Sequence, residues 1–462
     1  MTEEEASHTD DGHARALIRG WRGARRLAVL DDDPTGSQSV HHVQVVTMLD
    51  DVELKAALQP ESSIAFVLTN TRGLSQTDAV RLTALVVSKL LALDPQIDIV
   101  SRSDSTLRGH LLAEVEEISR LRGGYDGVIL APAFFEAGRF TADDVHFATV
   151  GGKAVPVGET EFARDATFGF RSSNLCEFIV EKSGGAIAAN DVLSISLKTI
   201  RSGGPEAVRD VLMGATDGQF VVVNGTNYTD YETVVLGAQA AVDAGRTFLF
   251  RTGPSFVRAL AGIEPQEPLR VGDFAALDRA SGHGLVVVGS HVSQTSRQVG
   301  AARARRDLVE VEVSVPRVVA GDADYISERT DAVRNALAKS DALLFTSRDL
   351  VAGTDGRRSL DIARAVSSAI SAIVAGSLSA RPAWVVAKGG ITSHDVAVRG
   401  LGIRRASVLG QMLPGQISVF DPISAPEGVV GMPYVVFAGN VGDDQTLADV
   451  IETLHAAQRV SA

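Results

Sequence analysis

The chain has 462 residues, of which 45% are hydrophobic, 22% charged and 5% aromatic, a balance that suits two or three folded domains with sizeable cores. A net charge of −13 and an isoelectric point near 5.3 exclude a general polyanion binder, so any anionic ligand needs a local basic pocket. The single cysteine, Cys176, forms neither an intrachain disulfide nor a cysteine metal site, which suits a reducing cytoplasm.

The start, MTEEEASHTDDGHAR, is acidic and polar where an export signal is basic and then apolar, and residues 1–20 read as a disordered arm leading into a helix. No uninterrupted apolar run approaches the roughly 18 residues of a membrane helix, so a chain that stays out of the membrane is expected. RLAVL, IAFVL, IDIV and GVIL follow, continuous apolar runs of the kind expected for strands buried on both faces of a parallel sheet. They lead into DDDPTG, TNTRGLS, SRSDSTLRGH and APAFFEAGR, polar loops placed after strands. In an open α/β sheet that is where the ligand crevice lies. TDAVRLTALVVSKLLAL carries Val80, Leu82, Leu85, Val86 and Leu90 at helical spacing behind a Thr77 cap. From Phe140 to Thr167 the chain turns Gly- and Val-rich, a loop or small β-excursion that can cover the crevice.

FVVVNG and TFLFRTG complete the first half, the latter turning at Gly253-Pro254 into a helix from Ser255. Residues Gly262 to Ala280 read as a connector and hinge. LVVVGSHVSQTSRQV, LVEVEVSV, ALLFTSRD, WVVAKGGITSHDVAV, QISVF and YVVFAGNVGDDQTL then repeat the alternation. The expected domains are 1–265 and 281–462.

Walker A, G-x-G-x-x-G, H-E-x-x-H and G-x-S-x-G patterns do not occur, which disfavours P-loop NTPases, standard dinucleotide dehydrogenases, zinc proteases and α/β-hydrolases. The second half instead has GSHVSQT, KGGITS and AGNVGDD, each after a strand. Glycine lets backbone amides approach phosphate oxygens, and Ser and Thr add donors. One such loop is more often a tight β–α turn; three together point to a nucleotide.

In the first half, Arg102, Asp104, Ser105, Thr106 and Arg108 lie within seven residues, and Arg72 adds a third cation. Arginines with hydroxyl donors suit a carboxylate, the alternative being a helix cap with a surface ion pair. Asp31, Asp32 and Asp33 raise one another's pKa unless a cation or polyol sits among them. They can bind sugar hydroxyls, act as general base, approach Mg²⁺, or cap a turn. The histidines lack metal-ligand spacing, and His291 and His394 fall inside the nucleotide loops. Asp443 and Asp444 read as a helix cap or as help with a metal.

DDDPTG, TNTRG, SDSTLRGH, GSHVSQT, GGITS and AGNVGDD, in this order along nearly the whole chain, resemble the four-carbon acid sugar kinase family. DSTLRG is the most specific element. The resemblance implies an α/β protein of two doubly wound domains with mainly parallel sheets, an N-terminal sugar-acid-binding domain, a C-terminal nucleotide-binding domain and an active-site cleft between them. It also implies ATP and Mg²⁺ as cofactors, a small sugar acid as the other partner, no nucleic acid or membrane, and room for a homodimer. Asp32, Asp33 and Asp104 then take catalytic roles, and Arg72, Ser105, Thr106 and Arg108 hold the substrate. Ser290, Gly389, Gly390, Ile391, Thr392, Ser393, Gly439, Asn440 and Gly442 hold the nucleotide. The chain departs from two acids followed by Leu-Thr-Gly by carrying Asp-Asp-Asp-Pro-Thr-Gly, and it has the long VGETEFARDATFGFRSSN stretch, so no particular tetronate is carried over. An NAD(P)-dependent sugar-acid oxidoreductase and a non-enzymatic sugar-acid sensor are the alternatives.

Overall fold

The structure, a computed structural model, describes residues 12–23, 25–33, 36–59, 64–274, 282–290, 292–322, 324–347 and 356–460, without the side chains of 356–361, 459 and 460. Residues 1–11 of the expected arm, Pro34, Thr35, His291, residues 275–280 of the connector and Ser281 lie outside the described residues. The strands are β1 (Leu27–Asp31), β2 (Gln44–Val46), β3 (Ile64–Leu68), β4 (Asp98–Arg102), β5 (Gly127–Ala131), β6 (Arg139–Ala142), β7 (Val145–Val150), β8 (Lys153–Pro156), β9 (Leu193–Ile195), β10 (Gln219–Val223), β11 (Phe248–Thr252), β12 (Leu285–Val288), β13 (Val309–Val313), β14 (Ala342–Thr346), β15 (Val385–Lys388), β16 (Arg405–Gln411), β17 (Ile417–Ser424) and β18 (Tyr434–Phe437). They fall into two compact α/β units, Met1–Ser39 with Leu49–Pro265, and Val40–Met48 with Gln266–Ala462.

The sheet of the first unit runs β3-β1-β4-β11-β5-β10-β9, all parallel. β1, β3, β5 and β11 are buried at every position, as continuous apolar runs require when helices cover both faces. From β1 the chain crosses to β3 on one side and then to β4 on the other, so the order reverses between β1 and β4. Loops leaving the carboxyl ends of such a pair open onto the ligand crevice. Asp31 pairs in register with Arg102, so the two loops begin side by side.

The crossover helix Gln76–Leu93 is capped by Ser75, whose hydroxyl accepts the Asp78 amide, and not by Thr77. Its buried face is Ala79, Thr83, Val86, Val87 and Leu90, leaving Leu85 exposed. The expected arm is helical over His13–Arg22. Arg15 donates to Glu232 at 3.0 Å and Arg22 to Asp98 at 2.7 Å, buried ion pairs that dock the helix where disorder was expected. The excursion after β5 is an antiparallel β6-β7-β8 sheet followed by 3₁₀ turns at Val157–Glu159 and Glu161–Arg164.

The second unit has a parallel β13-β14-β12-β15-β18 sheet continued antiparallel by β17, β16 and β2. Two findings differ from the expected bounds 1–265 and 281–462. β2 comes from the first half of the chain and pairs with β16, and the connector residues Leu269 and Phe274 are buried in the second core beside Val286 and Trp384. A three-residue strand and two isolated apolar residues carry too little periodicity to be read from sequence. From β12 the chain visits β13 and β14 on one side and then β15 on the other, placing this unit's reversal between β12 and β15. Among the described residues Ile362–Ala380 has the length and apolarity of a membrane span, with a mean hydropathy of 1.4, and its Ile370, Ile373 and Val374 are buried within the unit.

Candidate functional site

The acids at the end of β1 have different surroundings because the strand ends at Asp31, and Asp32 and Asp33 belong to the loop that follows. Asp31 is fully buried; its Oδ1 accepts from Arg102 Nη1 at 2.7 Å and from the Asp33 amide at 3.0 Å. A Cβ on Gly36 would lie 1.7 Å from Asp31 Oδ2, so the turn needs glycine to make room for this carboxyl. Burial pushes the Asp31 carboxyl up to about 6, with Arg102 pulling the other way. Asp32 is also buried, and its Oδ1 accepts from Arg72 Nη2 at 3.0 Å. Among the described residues its Oδ2 has no hydrogen-bond partner. Burial pushes Asp32 up to about 7 despite Arg72 and Arg251 nearby. Asp33 is partly exposed and accepts from the same Arg72 nitrogen at 2.5 Å.

The loop after β4 supplies the opposing charges. Asp104 is buried and accepts from Arg108 Nε at 2.6 Å and from the Thr106 hydroxyl, with Arg72 Nη1 at 3.4 Å. Burial alone would raise this carboxyl, but Arg72 and Arg108 outweigh it and hold it below the usual carboxylate range. The loop closes through Leu107, which has a left-handed φ of 67° and donates its amide to the Asp104 carbonyl at 3.1 Å. At Gly109, φ is +122° and a Cβ would come within 2.9 Å of Asp32 Oδ2. Only glycine lets the backbone pass the free oxygen of Asp32 so closely.

Two arginines that the sequence reading did not single out complete the site. Arg251 is buried on β11 and donates to Glu114 at 2.5 Å and to Ser101 at 2.6 Å. Arg139 opens β6 and donates to Ser105 Oγ at 2.7 Å. The Arg108 and Arg139 guanidinium carbons each lie 5.4 Å from the Phe162 ring, which belongs to the excursion. The same segment places Asp165 at 3.9 Å from Arg108 Nη1 and the Phe168 ring 5.0 Å from His110. His146, expected to be surface or satisfied core, is buried between the Ser105 carbonyl at 2.8 Å and the Thr141 hydroxyl at 3.0 Å. Burial lowers it to about 4, so it is neutral and supports the loop. Among the described residues Arg139 has no carboxylate partner, and the Nη groups of Arg108 make no hydrogen bond. Arg139 was visible only as a basic residue in APAFFEAGR; its approach to Ser105 depends on how the excursion folds back.

In the second unit the glycine loops leave β12, β15 and β18, three adjacent parallel strands. A Cβ on Gly289 would lie 2.2 Å from Thr392 Oγ1, on Gly389 3.3 Å from Ser290 Cβ, and on Gly439 2.8 Å from Ser290 Oγ. Ser290, Gly389, Thr392 and Gly439 therefore meet. The Thr295 hydroxyl ties the first and third loops, donating to the Gly439 carbonyl at 3.0 Å and lying 3.1 Å from Ser290 Oγ. Gly390 starts a one-turn helix with open space where a Cβ would go, Ile391 is 70% exposed, and Asn440 is exposed. Ser393 is buried and donates to the Ala387 carbonyl at 2.7 Å, and Gly442 packs on Thr446, so both serve the loops' own structure. Asp443 accepts from the Gln445 amide at 3.0 Å as a cap, and Asp444 pairs with Arg297 at 2.8 Å. The sequence reading missed Lys388, which is fully buried beneath these loops. Among the described residues no three His, Cys, Asp or Glu side chains gather as metal ligands.

An α/β protein with an arginine-rich, carboxylate-bearing loop cluster in one unit and converging glycine loops in the other has two separate candidate ligand sites at strand ends. The sugar-binding N-terminal domain model matches residues 27–260, and the nucleotide-binding C-terminal domain model matches residues 285–447. The chain belongs to the four-carbon acid sugar kinase family that these two domains define. A Salmonella typhimurium LT2 protein provisionally named a tRNA synthase has the same fold, with a TM-score of 0.68 at 16% identity over 92% of this chain and 98% of its own. A Haemophilus influenzae protein from a domain family of unknown function aligns with a TM-score of 0.64 at 16% identity, over 94% of this chain and 100% of its own. No curated protein matches the chain in sequence.

Proposed function

We propose that the protein is an ATP-dependent kinase that phosphorylates a hydroxyl of a four-carbon sugar acid of the threonate, erythronate or oxo-tetronate type. The observation that carries this reading is one cluster holding a carboxylate oxygen unpartnered among the described residues, on Asp32, beside Arg108 Nη groups that make no hydrogen bond there and an Arg139 with no carboxylate partner there. A sugar acid asks for both, an anion clamp at one end and a base at the other.

Arg108 and Arg139 grip the carboxylate, where planar guanidinium donors suit two oxygens. Asp32 takes the proton of the attacking hydroxyl, since a base poised near neutrality is matched to that task. Arg72 fixes Asp32 and Asp33, and Asp104, held ionised, orients Arg72 and Arg108 rather than acting as base. Ser105 accepts from Arg139 and keeps its own proton for the substrate, while the Thr106 proton is committed to Asp104. Ser290, Gly389, Thr392 and Gly439 offer hydroxyls and close backbone to nucleotide phosphates, a fit supported by glycines at 389 and 439 whose side chains would crowd Ser290.

ATP supplies the phosphoryl group, and Mg²⁺ accompanies its phosphates rather than occupying a protein cage. The cytoplasm, where ATP is abundant and Cys176 stays reduced, is the compartment for this chemistry. The test is ADP release with Mg-ATP against D- and L-threonate, D- and L-erythronate, their oxo forms, and five- and six-carbon acids. Turnover with one four-carbon acid supports the kinase and identifies its substrate; silence with every acid while ATP still binds removes the substrate class.

A further inference from the structure

Lys388 ends β15 in the middle of the glycine loops with its side chain fully buried. Its Nζ donates to the Ala438 carbonyl at 3.1 Å, lies 3.4 Å from the Gly439 carbonyl, and sits 3.7 Å from the centroid of the Phe437 ring. All three are neutral acceptors. Among the described residues, which leave out His291 of the loop after β12, no charged group on the packed elements answers it. β12 and β18 are apolar except for Tyr434, whose hydroxyl is given to the Ser393 carbonyl. On the short helix Gly390–Asp395, Asp395 accepts from Ser367, and His394 is the other titratable group. In the loop after β18, Asp443 caps its helix and Asp444 pairs with Arg297. A buried ammonium with no counter-charge either gives up its proton or waits for an anion.

We infer that Lys388 is the cation that answers the nucleotide phosphates, and that the lysine takes up a proton from solvent as the nucleotide binds. The inference rests on the nucleotide reading of the second unit. In the free protein burial lowers Lys388 to about 7, so at pH 8 it is mostly neutral. An anion seated on the loops favours the charged form and raises that pKa. The complex then holds more protons than the free protein, and affinity falls as pH rises above 7.

The experiment is calorimetric titration of the full-length protein with ADP and Mg²⁺ at pH 8 in two buffers of different ionisation heat. The expected result is uptake of about one proton per nucleotide, with affinity falling up to about tenfold from pH 8 to pH 9. Lys388→Arg, charged throughout, should keep binding without proton uptake, and Lys388→Met should bind more than about tenfold more weakly, also without uptake. Wild-type binding with no uptake, or uptake unchanged in both variants, overturns the role of Lys388 and leaves the nucleotide site standing. Failure of the folded wild type to bind ADP overturns the nucleotide reading and the inference with it.

Discussion

Asp32 is held where its charged form is disfavoured, and this has opposite consequences for catalysis and stability. As a base it works only when ionised, so kcat/KM should fall on the acid side of about pH 7, and Asp32→Asn should cost roughly 10²–10⁴ in kcat while the acid still binds. For stability the sign runs the other way. The folded pKa lies above the unfolded one, so the folded state holds the extra proton between them, and stability is lost as pH rises through about 7. Asp32→Asn should therefore be more stable than wild type at pH 8, by about 1–4 kcal/mol, with the difference shrinking as pH falls and vanishing only near pH 4, the unfolded value. Equal melting curves at pH 8 would contradict the strain assigned to this carboxylate. The presence of three clustered acids was legible in the sequence. That Asp31 pairs with Arg102 while Asp32 and Asp33 share Arg72 was not, because it depends on which way each faces.

At the scale of elements, each loop's glycine is required by a neighbouring loop. Gly439→Ala would push its Cβ to 2.8 Å from Ser290 Oγ, and Gly389→Ala adds a side chain at φ +121°. Both should weaken nucleotide binding by roughly tenfold or more, a loss of about 1.4 kcal/mol, without changing acid binding. Gly390→Ala, which meets nothing within 4 Å, should bind nucleotide like wild type. Calorimetry on the three variants checks this, and an effect of Gly390→Ala equal to the others would mean the cradle is not where the loops converge. The three loops were recognisable from composition. Their convergence follows from β12, β15 and β18 being neighbours, an order that no local pattern encodes.

For the molecule as a whole, the proposed acid and nucleotide sites draw on different units, and each unit carries one tryptophan, Trp21 in the first and Trp384 in the core of the second. Arg108→Ala should raise the KM for the acid by about 10–100-fold, as expected for a lost charged hydrogen bond, with little change in the KM for ATP. In a Trp21→Phe background the remaining fluorescence reports the second unit. ADP should shift that unfolding transition upward by mass action, and Arg108→Ala should leave the shift intact. A shift abolished by Arg108→Ala would place the nucleotide in the first unit instead.

The sequence by itself determined the α/β class and the polar and glycine-rich loops at the strand ends, because buried parallel strands are continuous apolar runs and their loops keep polar residues in fixed local order. Only the tertiary structure decided that Val40–Met48 joins the second unit, that Arg139 reaches Ser105, and that Lys388 is buried among neutral acceptors. Each of these depends on contacts between residues far apart in the chain, where burial and counter-charge are set by packing rather than by neighbours in sequence.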